Sequence, residues 1–229
     1  MISIVIPVYN AEEIIFNAYK KVKKEIEKIT NEYEILLRND ASTDQSLGVL
    51  QNIAEKDSKV RIFSNDVNRG IGYVLQRLFA DAKGEILIYL DADLSFDIRM
   101  LPTFLDEIKK VDVVVASKYK GAKKVIPLQR LLASRIYYLI NKILFRINVT
   151  DVGSGFIMFR KNVLNSVELS SSGFEAHIEF FVKLKESGFK VKEIPVDYNH
   201  RNAGSFNMLK HGPPTVARTF KFWWQNLWR

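Results

Sequence analysis

Cysteine is absent from the 229 residues, which removes disulfides, thiolate zinc sites and cysteine nucleophiles together. Stability must then come from packing, and any catalysis from carboxylates, bases or a hard metal; a cytoplasmic setting fits. No basic segment precedes the first apolar run, MISIVIPVYN, so no signal peptide is expected. No apolar stretch reaches the roughly 18 residues that suggest a membrane span. The longest, Leu128 to Val149, is interrupted by Arg135, Asn141, Lys142 and Arg146. The chain reads as soluble or peripheral. Internal repeats, low-complexity segments and clear linkers are missing too. GxGxxG and GxxxxGK[ST] do not occur, and the GSG at 153 to 155 is not a GxSxG elbow, which argues against dinucleotide enzymes, P-loop NTPases and serine hydrolases. No helix-turn-helix, zinc or RRM signature is visible, so a noncatalytic nucleic-acid-binding module is the weakest reading and no nucleic acid partner is expected.

What is present is apolar and basic. A hydrophobic content of 47% over this length can bury a full core in one compact unit. The formal charge of +8 and pI near 9.5 call for an anionic partner: nucleic acid, membrane or a phosphorylated substrate.

The apolar run Ile2 to Val8 predicts a strand, and the spacing from Glu12 to Lys28 predicts a helix behind it. The alternation repeats with strands near 33–37, 60–63 and 85–90 and helices near 46–56 and 72–81. This rhythm predicts an α/β fold with a mostly parallel central sheet covered by helices on both faces. After the strand 113–116 come a basic loop, a long helix near 127–147, a strand 155–160, a helix 175–187, a strand 190–196, a polar loop 199–205 and a Trp-rich terminal helix. Ligands of such sheets bind outside the carboxyl ends of the strands, where three polar clusters fall: Tyr9-Asn10, Asn39 to Asp44, and Asp91-Ala92-Asp93. Asp91 and Asp93 can share one cation, since two carboxylates plus substrate phosphates are how Mg²⁺ or Mn²⁺ is usually held.

The segments SIVIPVYNAEE, NDASTD, NRGIGYVLQRLFADAKGEILIYLDADLS and DVGSGFIMFR, in this order, resemble family 2 of the inverting glycosyltransferases, of glycosyltransferase-A fold. Within it the chain is most similar to dolichyl-phosphate mannose synthases and related polyprenyl-phosphate hexose transferases. The resemblance implies a single catalytic domain over 1–205, with a nucleotide-sugar half at 1–120 and an acceptor half at 121–205, followed by an amphipathic helix at 206–229. It implies transfer of a hexose from a nucleoside diphosphate sugar, GDP-mannose or UDP-glucose, to a polyprenyl phosphate at the cytoplasmic face of a membrane. Pro7, Tyr9, Asn10 and Asp40 would line the nucleoside pocket, Asn68, Arg69 and Gly70 would continue it, and Asp91 and Asp93 would hold the metal and diphosphate. Asn39 and Ala41 depart from the commoner DDGSTD pattern. Lys118, beside Ser117, stands where the family has arginine near the donor, keeping the charge and losing the planar fork.

Arg130, Ser134 and Asn141 fall within about 40° on a helix, and the RxxxS spacing is similar to the family's acceptor-phosphate helix. Arg201 and Ser205 lie in a segment resembling the family's RxxGxS phosphate loop. Leu132, Ile136, Leu139, Ile140 and Ile143 fill an apolar face of the long helix, and Arg135, Lys142 and Arg146 form a second polar stripe. His177 stands near the family's general-base position: it is a base, with Glu175 or Glu179 as neighbours that orient a sugar hydroxyl, or an ordinary helix histidine. A base is needed if the acceptor is a saccharide hydroxyl and superfluous if it is a phosphate anion. Val216, Phe220, Trp223, Trp224 and Leu227 share one face of the terminal helix, for a membrane interface, the core or a second subunit.

Overall fold

The computed structural model describes residues 1–120, 124–125, 128–199 and 208–226. Strand β1 (Ile2–Val8) leads to α1 (Ile15–Glu27), β2 (Tyr33–Asn39), α2 (Ser46–Lys56), β3 (Val60–Ser64), α3 (Ile71–Asp81), β4 (Ile86–Leu90) and α4 (Leu101–Glu107). Then follow β5 (Val113–Ser117), the short β6 (Lys124–Val125), α5 (Leu128–Phe145), β7 (Phe156–Arg160), α6 (Ala176–Glu186), β8 (Val191–Pro195), β9 (Tyr198–Asn199) and α7 (Met208–Asn226). Seven strands form one sheet in the order β3-β2-β1-β4-β7-β5-β8, while β6 and β9 pair separately. All neighbours in the large sheet run parallel except β7, which is antiparallel to both β4 and β5.

Strand alternation divides the apolar residues between two cores, because successive side chains point to opposite faces. Ile4, Ile6, Ile88 and Leu90 pack on one face with α1, α2 and α4; Val5, Leu87 and Tyr89 pack on the other with α3, α6 and Phe145. Face-to-face stacking of Phe104 and Phe156, centroids 4.0 Å apart, fixes β7 beneath α4 on the first side.

Two elements do not follow from the pattern of the sequence. The run Phe156–Arg160 has the composition of any buried strand, and nothing local sets its direction; it inserts antiparallel between β4 and β5, so its amino end, not its carboxyl end, meets the binding edge. The helix α5 is docked the other way round from an ordinary amphipathic helix. Leu128, Leu132, Ile136, Leu139 and Ile143 are between 53% and 76% exposed, whereas Asn141 is fully buried. An apolar stripe of this regularity usually covers a core; here it faces outward.

At the other end of the sheet Glu34 is buried in β2, where it accepts from Ser3 Oγ at 2.6 Å, Arg61 at 2.8 Å and the Lys83 amide at 2.7 Å. Ser3 Oγ in turn accepts from the Gly84 amide at 2.7 Å. These bonds tie β1 and β2 to the turn before β4. Removing the carboxylate strands several donors and a cation, a loss of about 3 kcal/mol or more. Glu34→Ala should therefore lower the stability measured by chemical denaturation by that amount; a change below about 1 kcal/mol would show that the cluster is not structural.

Candidate active site

The carboxyl ends of β1, β2 and β4 open onto one cleft of about 1140 Å³, which runs on between α5 and α7. Pro7, Tyr9, Asp40, Asn68 and Gly70 line its first part, Asp91, Asp93, Lys118 and His177 its middle, and Ser134, Tyr137, Ile140, Pro213 and Val216 its far part.

Asp40 is buried and fully engaged. Its carboxylate accepts from Asn65 Nδ2 at 2.8 Å and from the amides of Arg69 and Gly70 at 2.9 Å each. Its carbonyl accepts from Asn68 Nδ2 at 3.2 Å. Asp40 is thus the template that folds the Asn68–Gly70 turn. Gly70 has φ +87°, and a Cβ there would lie 2.5 Å from the Ser172 carbonyl oxygen, so the turn needs glycine on both counts. Asn10 and Arg69 do not line the cleft. Asn10, at φ 47°, accepts from the Thr43 amide through Oδ1 at 2.8 Å and donates its own amide to Ser42 Oγ at 3.0 Å, joining two loops. The Arg69 guanidinium lies 5.9 Å from the centre of the Tyr73 ring.

Asp91 and Asp93 sit on a sharp turn, with Leu94 at φ 46° and its amide bonded to the Asp91 carbonyl. Asp93 accepts from the amide and hydroxyl of Ser95 at 3.0 and 2.8 Å. Asp91 Oδ1 accepts from the Tyr89 hydroxyl, and its amide donates to the Gly155 carbonyl at 2.9 Å. Desolvation first, and the negative charge of Asp93 second, push the Asp91 carboxyl up to about 6. A Cβ on Gly155 would stand 2.0 Å from Asp91 Oδ2. The glycine of DVGSGF makes room for this carboxylate.

Lys118 is not a free cation. Its Nζ meets Asp151 Oδ1 at 2.6 Å, and its amide donates to Asp151 Oδ2 at 3.1 Å. Asp151, 1% exposed, was not singled out from the sequence; its place in DVGSGF next to the GSG turn was the available signal. Glu193 fixes this segment by accepting from the amides of Thr150 and Asp151 at 2.8 and 2.9 Å. The charged groups at the middle of the cleft are thus Asp91, Asp93 and Asp151 against Lys118, an excess of negative charge in a chain of formal charge +8. Among the described residues no group of three His, Cys, Asp or Glu side chains could enclose a metal. Two carboxylates with surplus negative charge fit a hard divalent cation that completes its shell with phosphate oxygens, not a cation caged by protein.

His177 Nδ1 lies 3.2 Å from the Phe174 carbonyl oxygen and Nε2 lies 3.3 Å from the Tyr89 hydroxyl. Desolvation lowers its pKa, so the ring is neutral at pH 7. Of the neighbouring acids, Glu179 is occupied elsewhere, while Glu175 keeps its buried Oε2 without a hydrogen bond, 3.7 Å from the Arg218 guanidinium. Glu179, fully buried, accepts from the Ser170 and Ser171 amides at 2.9 and 2.7 Å and pairs with Lys183; Glu175 accepts from the Gly173 amide at 3.1 Å. The stripe expected on α5 splits: Ser134 lines the cleft, while Asn141 is turned inward and donates to the Tyr137 carbonyl at 2.7 Å. Arg130 falls in α5 by position, but its side chain lies outside the described residues, as do Arg201, Ser205 and Leu227. The terminal helix docks through Thr215, Thr219, Phe222 and Trp223, with Tyr137 Oη 2.8 Å from Thr219 Oγ1, and leaves Phe220 and Trp224 exposed.

A mostly parallel sheet with one antiparallel strand beside the acidic turn is the glycosyltransferase-A architecture. The same fold is seen in mannosyl-3-phosphoglycerate synthase from Rubrobacter xylanophilus (TM-score 0.72, 16% identity, 96% of this chain and 72% of that one). It is seen also in glucosyl-3-phosphoglycerate synthase from Mycobacterium tuberculosis, solved with Mg²⁺ and UDP (TM-score 0.69, 17% identity, 96% and 76%). The glycosyl transferase family 2 profile matches residues 3–167, and the chain belongs to that family. It is 29% identical over 223 residues to dolichol-phosphate mannosyltransferase from Pyrococcus furiosus, covering 92% of this chain and 62% of that one. It is 23% identical to glycosyltransferase AglD from Haloferax volcanii, covering 98% and 37%, and 24% identical to undecaprenyl-phosphate mannosyltransferase from Micrococcus luteus, covering 89% and 86%. The chain thus spans about two-fifths of the first two relatives' length in one case and about three-fifths in the other.

The contact between Gly155 and Asp91 generates a direct test. Gly155→Ala must displace the Asp91 carboxylate or bend β7, and either change disturbs the acidic turn. Turnover should fall by at least ~100-fold, or about 2.7 kcal/mol of transition-state stabilisation. Activity within threefold of the parent would show that the Asp91 position does not matter.

Proposed function

We propose that this chain is an inverting hexosyltransferase that moves a sugar from a nucleoside diphosphate donor, GDP-mannose or UDP-glucose, to a polyprenyl phosphate. The observation that carries this reading is the continuity of one cleft from the nucleotide-side loops, past Asp91 and Asp93, to an apolar groove between α5 and α7. The names of the Pyrococcus and Micrococcus relatives support the acceptor class. Residues 1–120 would then serve the donor, 121–205 the acceptor, and 206–229 would form the amphipathic C-terminal helix.

Asp91 and Asp93 would hold Mg²⁺ or Mn²⁺, the ions present in the Mycobacterium structures. Bound there, the cation would offset the charge that develops on the departing diphosphate. The chain's own part is orientation. Asp40 shapes the turn beneath the nucleoside, Pro7 and Tyr9 flank it, and an acceptor phosphate oxygen held from the α5 side attacks the anomeric carbon opposite the nucleotide, which inverts it. Arg130 and Arg201, with Ser134 and Ser205, would position that phosphate. The phosphate is already anionic at neutral pH, so no base is required. That agrees with a neutral His177 and with the engagement of Glu179 elsewhere.

Turnover with GDP-mannose and UDP-glucose on a polyprenyl phosphate, with and without Mn²⁺, tests the assignment. Asp93→Asn should reduce it by at least ~100-fold. Near-parental turnover in that variant at saturating metal would overturn the metal reading.

A lipid-linked acceptor requires a membrane-facing surface, and we place it on α5 instead of on the terminal helix alone. Among the described residues no helix is long and apolar enough to cross a membrane. The outward stripe Leu128, Leu132, Ile136, Leu139 and Ile143 is flanked by exposed Arg135 and Lys142, and Phe220 and Trp224 of the adjoining α7 are exposed as well. Neither helix contains an acidic residue, which suits an anionic lipid surface and peripheral attachment at the cytoplasmic face. Burying one such aliphatic side chain contributes roughly 1.5–3 kcal/mol. Leu139→Glu with Ile143→Glu should therefore weaken co-sedimentation with anionic liposomes by at least ~10-fold and reduce activity on membrane-embedded acceptor. Activity on a short water-soluble acceptor and thermal stability should be retained. Unchanged liposome binding would exclude this face as the docking surface.

A further inference from the structure

The Tyr89 hydroxyl occupies a place that packing does not require. Tyr89 and Asp91 are two residues apart at the end of β4, so both point to the face of the sheet covered by α6. The Tyr89 ring is 2% exposed within the second core, and a phenylalanine would fill that space equally. The hydroxyl nevertheless sits between two polar partners: it donates to Asp91 Oδ1 and lies 3.3 Å from His177 Nε2. Gly155 closes the opposite side of the carboxylate, since even a methyl group there would overlap Oδ2.

The protons in this chain can be counted. The Phe174 carbonyl can only accept, so His177 Nδ1, 3.2 Å away, carries the single proton of the neutral ring, and Nε2 presents a lone pair to Tyr89. A phenol has one proton to give. It goes to Asp91 when that carboxylate is free, and Nε2 offers it a second acceptor when the carboxylate's electrons are drawn elsewhere. The hydroxyl therefore has a satisfied position in either state, at the cost of one torsion.

We propose that Tyr89 and His177 are a positioning pair for Asp91: the hydroxyl holds the empty carboxylate in register and turns to His177 when Asp91 takes up a divalent cation. This rests on the assignment of Asp91 and Asp93 as the metal carboxylates. It gives His177 a function through Tyr89, not as a general base: Nε2 is the acceptor that lets the hydroxyl leave an occupied Asp91, so losing that acceptor weakens metal binding by roughly 10-fold.

The test is Mn²⁺ binding by the full chain, followed by electron paramagnetic resonance in the presence of GDP and, separately, of UDP. Tyr89→Phe, which loses a bond made to the empty carboxylate, should bind Mn²⁺ at least as tightly as the parent, with its melting temperature unchanged within about 2 °C. His177→Phe should bind Mn²⁺ about 10-fold more weakly, and the double variant should bind like Tyr89→Phe alone, because residues acting through one another are not additive. Weaker binding in Tyr89→Phe, or a loss on His177→Phe that persists in the double variant, would overturn the pair while leaving the metal site standing. A His177→Phe chain that binds Mn²⁺ normally but turns over slowly would also overturn it, since that pattern belongs to a base. Failure of the parent chain itself to bind Mn²⁺ with either nucleotide would overturn the metal assignment and the pair together.

Discussion

The site is organised around an electrostatic conflict at the end of β4. Asp91 and Asp93 stand on one tight turn, and the first has lost much of its water, so its charged form is disfavoured until something positive arrives. The surrounding chain keeps the conflict in place. Tyr89 donates to one oxygen, Gly155 yields space to the other, and the Gly155 carbonyl holds the Asp91 amide at 2.9 Å. The antiparallel strand β7 delivers its amino end, and with it Gly155, to an edge where every parallel strand delivers a carboxyl end. The single reversed strand is thus what brings GSG against the acidic turn.

The first part of the cleft shows how a carboxylate can shape a site through its neighbours. Asp40 spends its carboxylate on Asn65, Arg69 and Gly70, so what it presents to the cleft is a shaped turn more than a charge. The same turn is buttressed from the second half of the chain: the Ser172 carbonyl accepts from the Gly72 amide at 2.7 Å, and Ser171 accepts from Gln76 at 3.0 Å. Glu179 holds that segment by accepting from the Ser170 and Ser171 amides. The Asn68–Gly70 turn and α6 are therefore one mechanical unit. A substitution at Glu179 would be felt at that turn through two intervening contacts.

Period and composition carried the parallel strands and the helices between them, because a buried β run followed by a 3.6-residue pattern has few other meanings. The polar clusters at the strand ends were legible for the same reason. Three things were not. The direction of β7 is set by its neighbours, not by the sequence FIMFR. The partner of Lys118 is 33 residues away, and only the fold joins it to Asp151. The sense of α5 is hidden because periodicity defines a stripe without saying what lies beneath it. Here the opposite side, with Ser134, Tyr137 and Asn141, and the stripe's edge at Ile136 and Ile140 supply the cleft wall and the internal bonds, and the rest of the apolar stripe is what remains outside.

Charge is distributed with the same logic. The exterior along α5 and α7 carries basic residues and no acids, while the cleft floor carries three carboxylates against one ammonium. Under the proposed function, an anionic acceptor approaching along the basic exterior would be drawn toward the groove and then repelled by the floor. The repulsion lapses only once the floor has been neutralised. A nucleoside diphosphate sugar that enters together with a divalent cation does this and leaves its anomeric carbon at the boundary between the two regions. The charge arrangement by itself therefore favours an order in which the donor binds first and the acceptor phosphate second, and it disfavours acceptor occupancy of the empty site.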